Sequence, residues 1–180
     1  PLLRLFAGKP YIDVRASFNS FIPKGLSEEL TEKLINFYST WLENNPHLHD
    51  KIEFDVVPTC VGPCFNKWES RLMANASCTI EEIKDLKEGL LSITQKAIFR
   101  TQMDLSVLLE MQSRHQQIIE SRNLVKSEKI QLLLGVCKKY GTLPFAHLAR
   151  SGFIAVTLLK EGVEAGSLSV DARDGFMETI

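Results

Sequence analysis

The chain is short of the residues that mark specialised proteins. Four cysteines in 180 residues are too sparse for a disulfide scaffold, so a reducing, cytoplasmic setting is expected. No G-x-x-x-x-G-K-[ST], G-x-G-x-x-G or G-x-S-x-G pattern occurs, which removes the usual Gly-rich phosphate cradles and the nucleophile elbow. Gly8-Lys9 is followed by Pro10 and has neither phosphate-loop spacing. No sign of charge dominates: 21 basic against 22 acidic residues leave a net charge of -1. That excludes the basic footprint of a nucleic-acid binder and the polybasic strip of a membrane-surface protein. No uninterrupted apolar run approaches the roughly 20 residues of a membrane span, and no signal-peptide pattern is present. Internal repeats and low-complexity segments are absent. Proline is missing between Pro63 and Pro144.

What is present is an ordinary globular balance, 44% hydrophobic and 24% charged, which suffices for one domain or two small ones sharing a core. Strand-like sequence follows directly on Pro1, and Ile180 falls inside a helical pattern. The expectation is an internal piece of a longer protein.

Residues 2–16 read as a β-hairpin, with Leu5-Phe6 and Tyr11–Arg15 flanking the turn chemistry of Ala7-Gly8-Lys9-Pro10. Tyr11, Asp13 and Arg15 would share one strand face. Ser27 predicts a helix cap with Glu28 and Glu29 in the first turn, and that helix should end near Asn44-Asn45-Pro46. Alternation of Ile52, Phe54 and Val56 with Glu53 and Asp55 predicts a third strand over 51–57. Helices follow: 65–75, then a Thr79-Ile80-Glu81-Glu82 capping pattern opening residues 80–121, where average helix length favours two helices. Further helices are expected at 126–139, 143–162 and 168–178. The fold class is α+β, predominantly α-helical. A small antiparallel sheet, hairpin plus one strand, packs with about six helices. Residues 1–64 form the sheet-containing part and 65–180 the helical part of one domain.

The stretch Gly141–Phe153 sorts its side chains by chemistry. Phe145, Leu148, Ala149, Gly152, Phe153, Val156 and Leu159 recur at helical spacing as an apolar face. His147, Arg150 and Ser151 fall on a second face. Thr142 as cap and Pro144 in the first turn predict a helix start there. Free N–H groups beside an arginine and a histidine can hold an anion. A capped core helix whose polar residues face water fits the same pattern. Lys139 and Tyr140 lie just upstream. Asp13, Arg15, Ser17 and Asn19 make either an exposed polar patch or the rim of a cleft. His47, His49, Cys60 and Cys64 lack the tight paired spacing of structural zinc sites, and no metal is expected.

Three segments carry a resemblance: Gly8–Pro23, His49–Asp55 and Gly141–Phe153. They are similar, in the same order, to segments of phosphoenolpyruvate synthase-like proteins, relatives of pyruvate phosphate dikinase. The likeness spans nearly the whole chain, with residues 65–135 matching only in character. It implies a central domain lying after an ATP-grasp domain and before a swivelling phosphohistidine domain. In such proteins ATP phosphorylates the mobile histidine, which passes the phosphoryl group to an acceptor such as pyruvate. Rifampin phosphotransferase looks like a cousin whose central helical domain holds the acceptor. The carrier histidine of the family follows a Gly-Gly lead-in and a Thr-Ser or Thr-Gly pair. Here Thr142 stands five residues before His147, Pro144-Phe145 intervenes and the Gly-Gly is missing, so His147 is not the carrier.

The resemblance implies ATP and Mg2+ for the full-length protein and no cofactor bound by this piece. Its partners would be the two neighbouring domains and a small-molecule acceptor, not nucleic acid or membrane. Arg15, Asn19, Lys139, Tyr140, His147 and Arg150 are the candidates for acceptor or phosphate contact. The alternative is a non-catalytic helical scaffold or dimerisation module, and a homodimer is one of the partners open to the chain.

Overall fold

The structure, a computed structural model, describes residues 2–179. It is predominantly helical with one small antiparallel sheet, so the fold is α+β. Among the described residues, β1 (Leu3–Phe6) and β2 (Lys9–Ile12) precede seven α-helices. The strands pair antiparallel, Leu3 opposite Ile12 and Phe6 opposite Lys9. Ala7 and Gly8 join them with φ values of 49° and 76°, the two-residue turn whose twist matches a hairpin. Both strands are exposed throughout, so the hairpin adds nothing to the core.

The second strand stops at Ile12 rather than reaching Arg15. The Asp13 carboxylate accepts the Ala16 N–H at 3.1 Å and starts α1 (Val14–Asn19). That backbone bond is the main force holding the Asp13 pKa below its usual range, with Arg4 assisting. A cap satisfies an orphan helix donor, and it outcompetes three residues of alternation with no third strand beside them. Arg15 and Asn19 therefore lie one turn apart on a helix, and Arg15 does not share a strand face with Tyr11 and Asp13.

Ser27 caps α2 (Glu28–Asn44) as expected, its hydroxyl accepting the Leu30 N–H at 3.1 Å. A short 3-10 turn follows at Pro46–Leu48. The third strand is absent: Ile52–Val56 is a single π-helical turn. Val57 N–H reaches the Ile52 carbonyl at 2.9 Å, and the Lys51 carbonyl takes N–H groups from Phe54 and Asp55. A lone strand leaves its backbone unpaired, whereas a helical turn satisfies it locally. Five alternating residues cannot separate the two by pattern alone. Val56 and Val57 are buried, and the half-buried Phe54 meets Phe153 edge-on with centroids 5.7 Å apart.

After α3 (Asn66–Ala76) comes one helix of 41 residues, α4 (Ile80–Glu120), where two were expected. Its start is the predicted capping box: Thr79 N–H donates to Glu82 and Glu82 N–H donates to the Thr79 hydroxyl. Glu82 also accepts from Lys33 Nζ at 2.8 Å, and Lys33 is the first cause of its lowered pKa. Average helix length gives way here because nothing breaks the helix. It holds no proline, and Gly89 is its only glycine. Chain order then continues with α5 (Lys126–Val136), α6 (Thr142–Glu164) and α7 (Val170–Met177).

The chain divides into two compact units. One contains the residues up to Ile93 and those from Phe153 onward; the other is Thr94–Gly152. Helices α4 and α6 contribute to both. The core of the first unit gathers Phe18, Leu30, Leu34, Tyr38, Leu86 and Leu90 with other apolar side chains.

Gly89 belongs to this packing. A Cβ there would lie 2.6 Å from the Pro23 Cβ and 3.1 Å from its Cγ. Alanine in a helix normally gains about 1 kcal/mol over glycine. Overpacking against a rigid ring costs about 1–3 kcal/mol. Gly89→Ala is thus expected to destabilise by about 1 kcal/mol, lowering Tm by roughly 2–4 °C. A thermal melt that moves upward would show that Pro23 yields and that the contact is not tight.

Candidate functional site

The expected helix start at Thr142 does not exist. Cys137–Gly141 forms a π-helical turn that carries α5 directly into α6. Thr142 has right-handed helical backbone, with its N–H on the Cys137 carbonyl and its hydroxyl on the Lys138 carbonyl at 3.1 Å. The cause is Pro144, which lacks an N–H and whose ring collides with the carbonyl one turn back. A wider turn just upstream accommodates that ring without ending the helix. No free first turn remains, and the anion site expected from unpaired N–H groups is excluded.

The continuous stretch Lys126–Glu164 has a further property. By length and composition it is long and apolar enough to cross a membrane, although only 11% of the relevant window is buried. Counting uninterrupted apolar residues had missed it, because a few polar residues interrupt the run.

The faces of α6 are also not as expected. Phe145, on the apolar face, is 72% exposed. His147, Arg150 and Ser151 are half-buried. His147 faces Asp104 of α4, which is only 5% exposed. His147 Nδ1 lies 2.9 Å from Asp104 Oδ1, and Arg100 Nε donates to Asp104 Oδ2 at 3.1 Å. A carboxylate paired with arginine only accepts, so Nδ1 carries the hydrogen in this bond. Nε2 makes no hydrogen bond among the described residues. Burial lowers the Arg150 pKa, and the nearby Arg100 guanidinium adds to the effect. Ser151 closes back onto the His147 carbonyl at 3.2 Å. One buried acid thus holds a histidine and an arginine, with a second arginine beside them.

Lys139 and Tyr140 form another group in the same unit. Arg114 stacks over the Tyr140 ring at 4.6 Å and Lys139 at 5.1 Å. Glu110 accepts two bonds from Arg114, at 3.0 and 2.7 Å. Arg15 and Asn19 lie in the first unit on α1. Arg15 donates to the neutral Asn36 amide at 2.8 Å, so its charge meets no carboxylate there. His47, His49, Cys60 and Cys64 do not assemble: among the described residues no three metal-capable side chains gather. Burial pushes the Cys60 thiol up to about 11, with Glu161 contributing.

Asp104, Arg100 and Glu110 were not singled out from sequence, and Arg114, in the polar stretch Gln112–Gln117, reads from sequence as part of a solvated face. A signal existed: Asp104 is the only acid between Glu88 and Glu110, and it stands four residues after Arg100 within an apolar stretch. A lone acid with an i,i+4 arginine among apolar residues marks a polar group that packing must bury or neutralise. Comparison with protein-family models, curated proteins and solved structures finds no match to this chain.

Proposed function

We propose that the chain is the central part of a phosphoenolpyruvate synthase-like phosphotransferase and that it helps to bind the phosphoryl acceptor. One observation carries this reading: Asp104, 5% exposed, bonds both His147 and Arg100 within 3.1 Å. A carboxylate that fixes one imidazole nitrogen leaves the other oriented as a base. Arg100 on the same carboxylate, with the Arg150 charge near it, suits an incoming phosphoryl group, whose oxygens gain charge during transfer. In this reading ATP with Mg2+ phosphorylates a histidine on a mobile neighbouring domain. An acceptor hydroxyl gives its proton to His147 Nε2 as its oxygen bonds to phosphorus, and the carrier histidine departs. Arg100 and Arg150 hold the phosphoryl oxygens. Lys139 and Tyr140 are outer contacts in the same unit, whereas Arg15 and Asn19 belong to the first unit and take no part in this site.

The test is Arg150→Ala in the full-length protein. Acceptor-dependent transfer should fall about tenfold or more, a loss of about 1.4 kcal/mol in the transition state. Phosphorylation of the carrier histidine by ATP should be unchanged. The melting temperature should stay within a few degrees, because the lost contacts are offset by relief of repulsion with Arg100. Normal acceptor turnover in this variant would remove the proposal.

A scaffold or dimerisation role is the second reading. It draws on Ile98, Phe99, Leu109, Leu134 and Phe145, exposed by 69, 86, 68, 66 and 72%. Sedimentation of the 180-residue chain separates the two: a stable dimer whose assembly is lost in Phe99→Asp favours the scaffold.

A further inference from the structure

The first unit holds a second cluster of charges that the acceptor reading does not use. A cavity of about 260 Å³ is lined by Phe54, Arg71, Lys160, Glu161 and Thr157, among others. Arg71 is fixed in an unusual way. Its guanidinium lies 4.7 Å from the Trp41 ring and 4.6 Å from the Trp68 ring. One N–H reaches the Asp55 carbonyl at 3.3 Å, and no carboxylate lies within ion-pair distance of it among the described residues. Burial lowers its pKa against the opposing pull of the Asp55 charge. Lys160 Nζ sits 4.9 Å over the Phe54 ring and, among the described residues, has no carboxylate within ion-pair distance. Ring faces stabilise a cation, but less than a carboxylate does.

The acids of the cavity differ in their commitments. Glu164 is taken by Lys67. Glu161 accepts the Cys64 N–H through Oε2 at 2.9 Å and, among the described residues, has no cation within ion-pair distance. Gly62 makes room for it: a Cβ there would lie 2.1 Å from Glu161 Oε2. The carboxylate is thus set against backbone on a glycine, with its other oxygen uncommitted. The lining is balanced, with Lys67, Arg71 and Lys160 against Asp55, Glu161 and Glu164. A simple anion would face as many carboxylates as cations. A molecule carrying one charge of each sign meets both unpaired cations and the unpaired acid.

We propose that this cavity binds a small zwitterion of the α-amino acid class, with its carboxylate at Arg71 and Lys160 and its ammonium at Glu161. The volume lies below the range of drug-sized pockets and matches a ligand of that size. The site does not depend on the acceptor reading.

Trp41 and Trp68 are the chain's two tryptophans, and both stack on Arg71, so intrinsic fluorescence reports on the site directly. Each common L-amino acid is titrated singly into the 180-residue chain. The best one is then compared with its N-acetyl form, which lacks the ammonium, and its amide, which lacks the carboxylate. At least one amino acid should bind with Kd of about 1 mM or tighter, and both blocked forms should bind about tenfold more weakly. Glu161→Gln keeps an acceptor for the Cys64 N–H and removes the charge. It should weaken the amino acid by about fivefold or more and leave the N-acetyl form unchanged. Lys160→Met, at an exposed position, should weaken both. Circular dichroism confirms that the variants fold. No saturable binding of any amino acid overturns the proposal. So does equal binding of the N-acetyl form, which would make the cavity an anion site.

Discussion

Asp104→Ala is expected to lower stability by about 3 kcal/mol, near the lower end for breaking a buried ion pair. Asp104 is 5% exposed and its carboxylate bonds Arg100 and His147 from opposite oxygens. Removing it leaves two donors without an acceptor. Both keep some contact with water, at 28% and 22% side-chain exposure, which limits the penalty. The loss corresponds to a Tm lower by roughly 6–12 °C for a chain of this length. Asp104→Asn retains one amide oxygen and should lose about 1–2 kcal/mol, the range for a hydrogen bond to a charged group. A double-mutant cycle with His147→Ala should show coupling, because the two side chains share one hydrogen bond. A melting curve for Asp104→Ala within 2 °C of wild type, by the same scale, would falsify the central place given to this carboxylate.

Phe18→Ala should cost about 3–5 kcal/mol, the usual range for emptying a buried aromatic position. Phe18 is fully buried, and its ring centroid lies 5.8 Å from that of Tyr38 on α2. It is the only buried residue of α1, so the short helix docks through this one side chain. Six residues cannot hold a helix in water unaided. Chemical denaturation should show the full loss, and limited proteolysis should cut within α1. Phe6 is the matched control: it is 62% exposed on the hairpin, and Phe6→Ala should change stability by less than about 0.5 kcal/mol. Equal effects at the two positions would mean that the hairpin, and not α1, is anchored to the core.

Much of the local structure was legible in the chain. The hairpin lies where turn chemistry at Ala7-Gly8 placed it. Ser27 and Thr79 cap their helices as their sequences predict. These signals act within three or four residues, and the same short bonds that define them stabilise the result. The strand expected over 51–57 failed for the complementary reason. A strand is a property of its neighbours, and Ile52–Val56 has no ladder to join. The break expected near Lys139 failed because proline is compatible with both a helix start and a distorted helix interior. Gly141 and Thr142 upstream do not tell the two apart.

The site was legible in part. His147, Arg150 and Ser151 share a helix face by spacing alone, and the structure brings His147 and Arg150 into one polar group. Their orienting acid lies 43 residues away on α4, beyond the reach of any local pattern. By composition the chain is a mainly helical protein with few breakers, and its caps and turns fall where short-range bonds put them. Which face of α6 turns inward was decided in tertiary structure. So were the pairing of Asp104 with His147, the stacking of Arg71 on both tryptophans and the conversion of an alternating segment into a helical turn. The buried charge contacts among these depend on desolvation by side chains brought in from other elements, and the free energy of burying a charge exists only once its partners have packed around it.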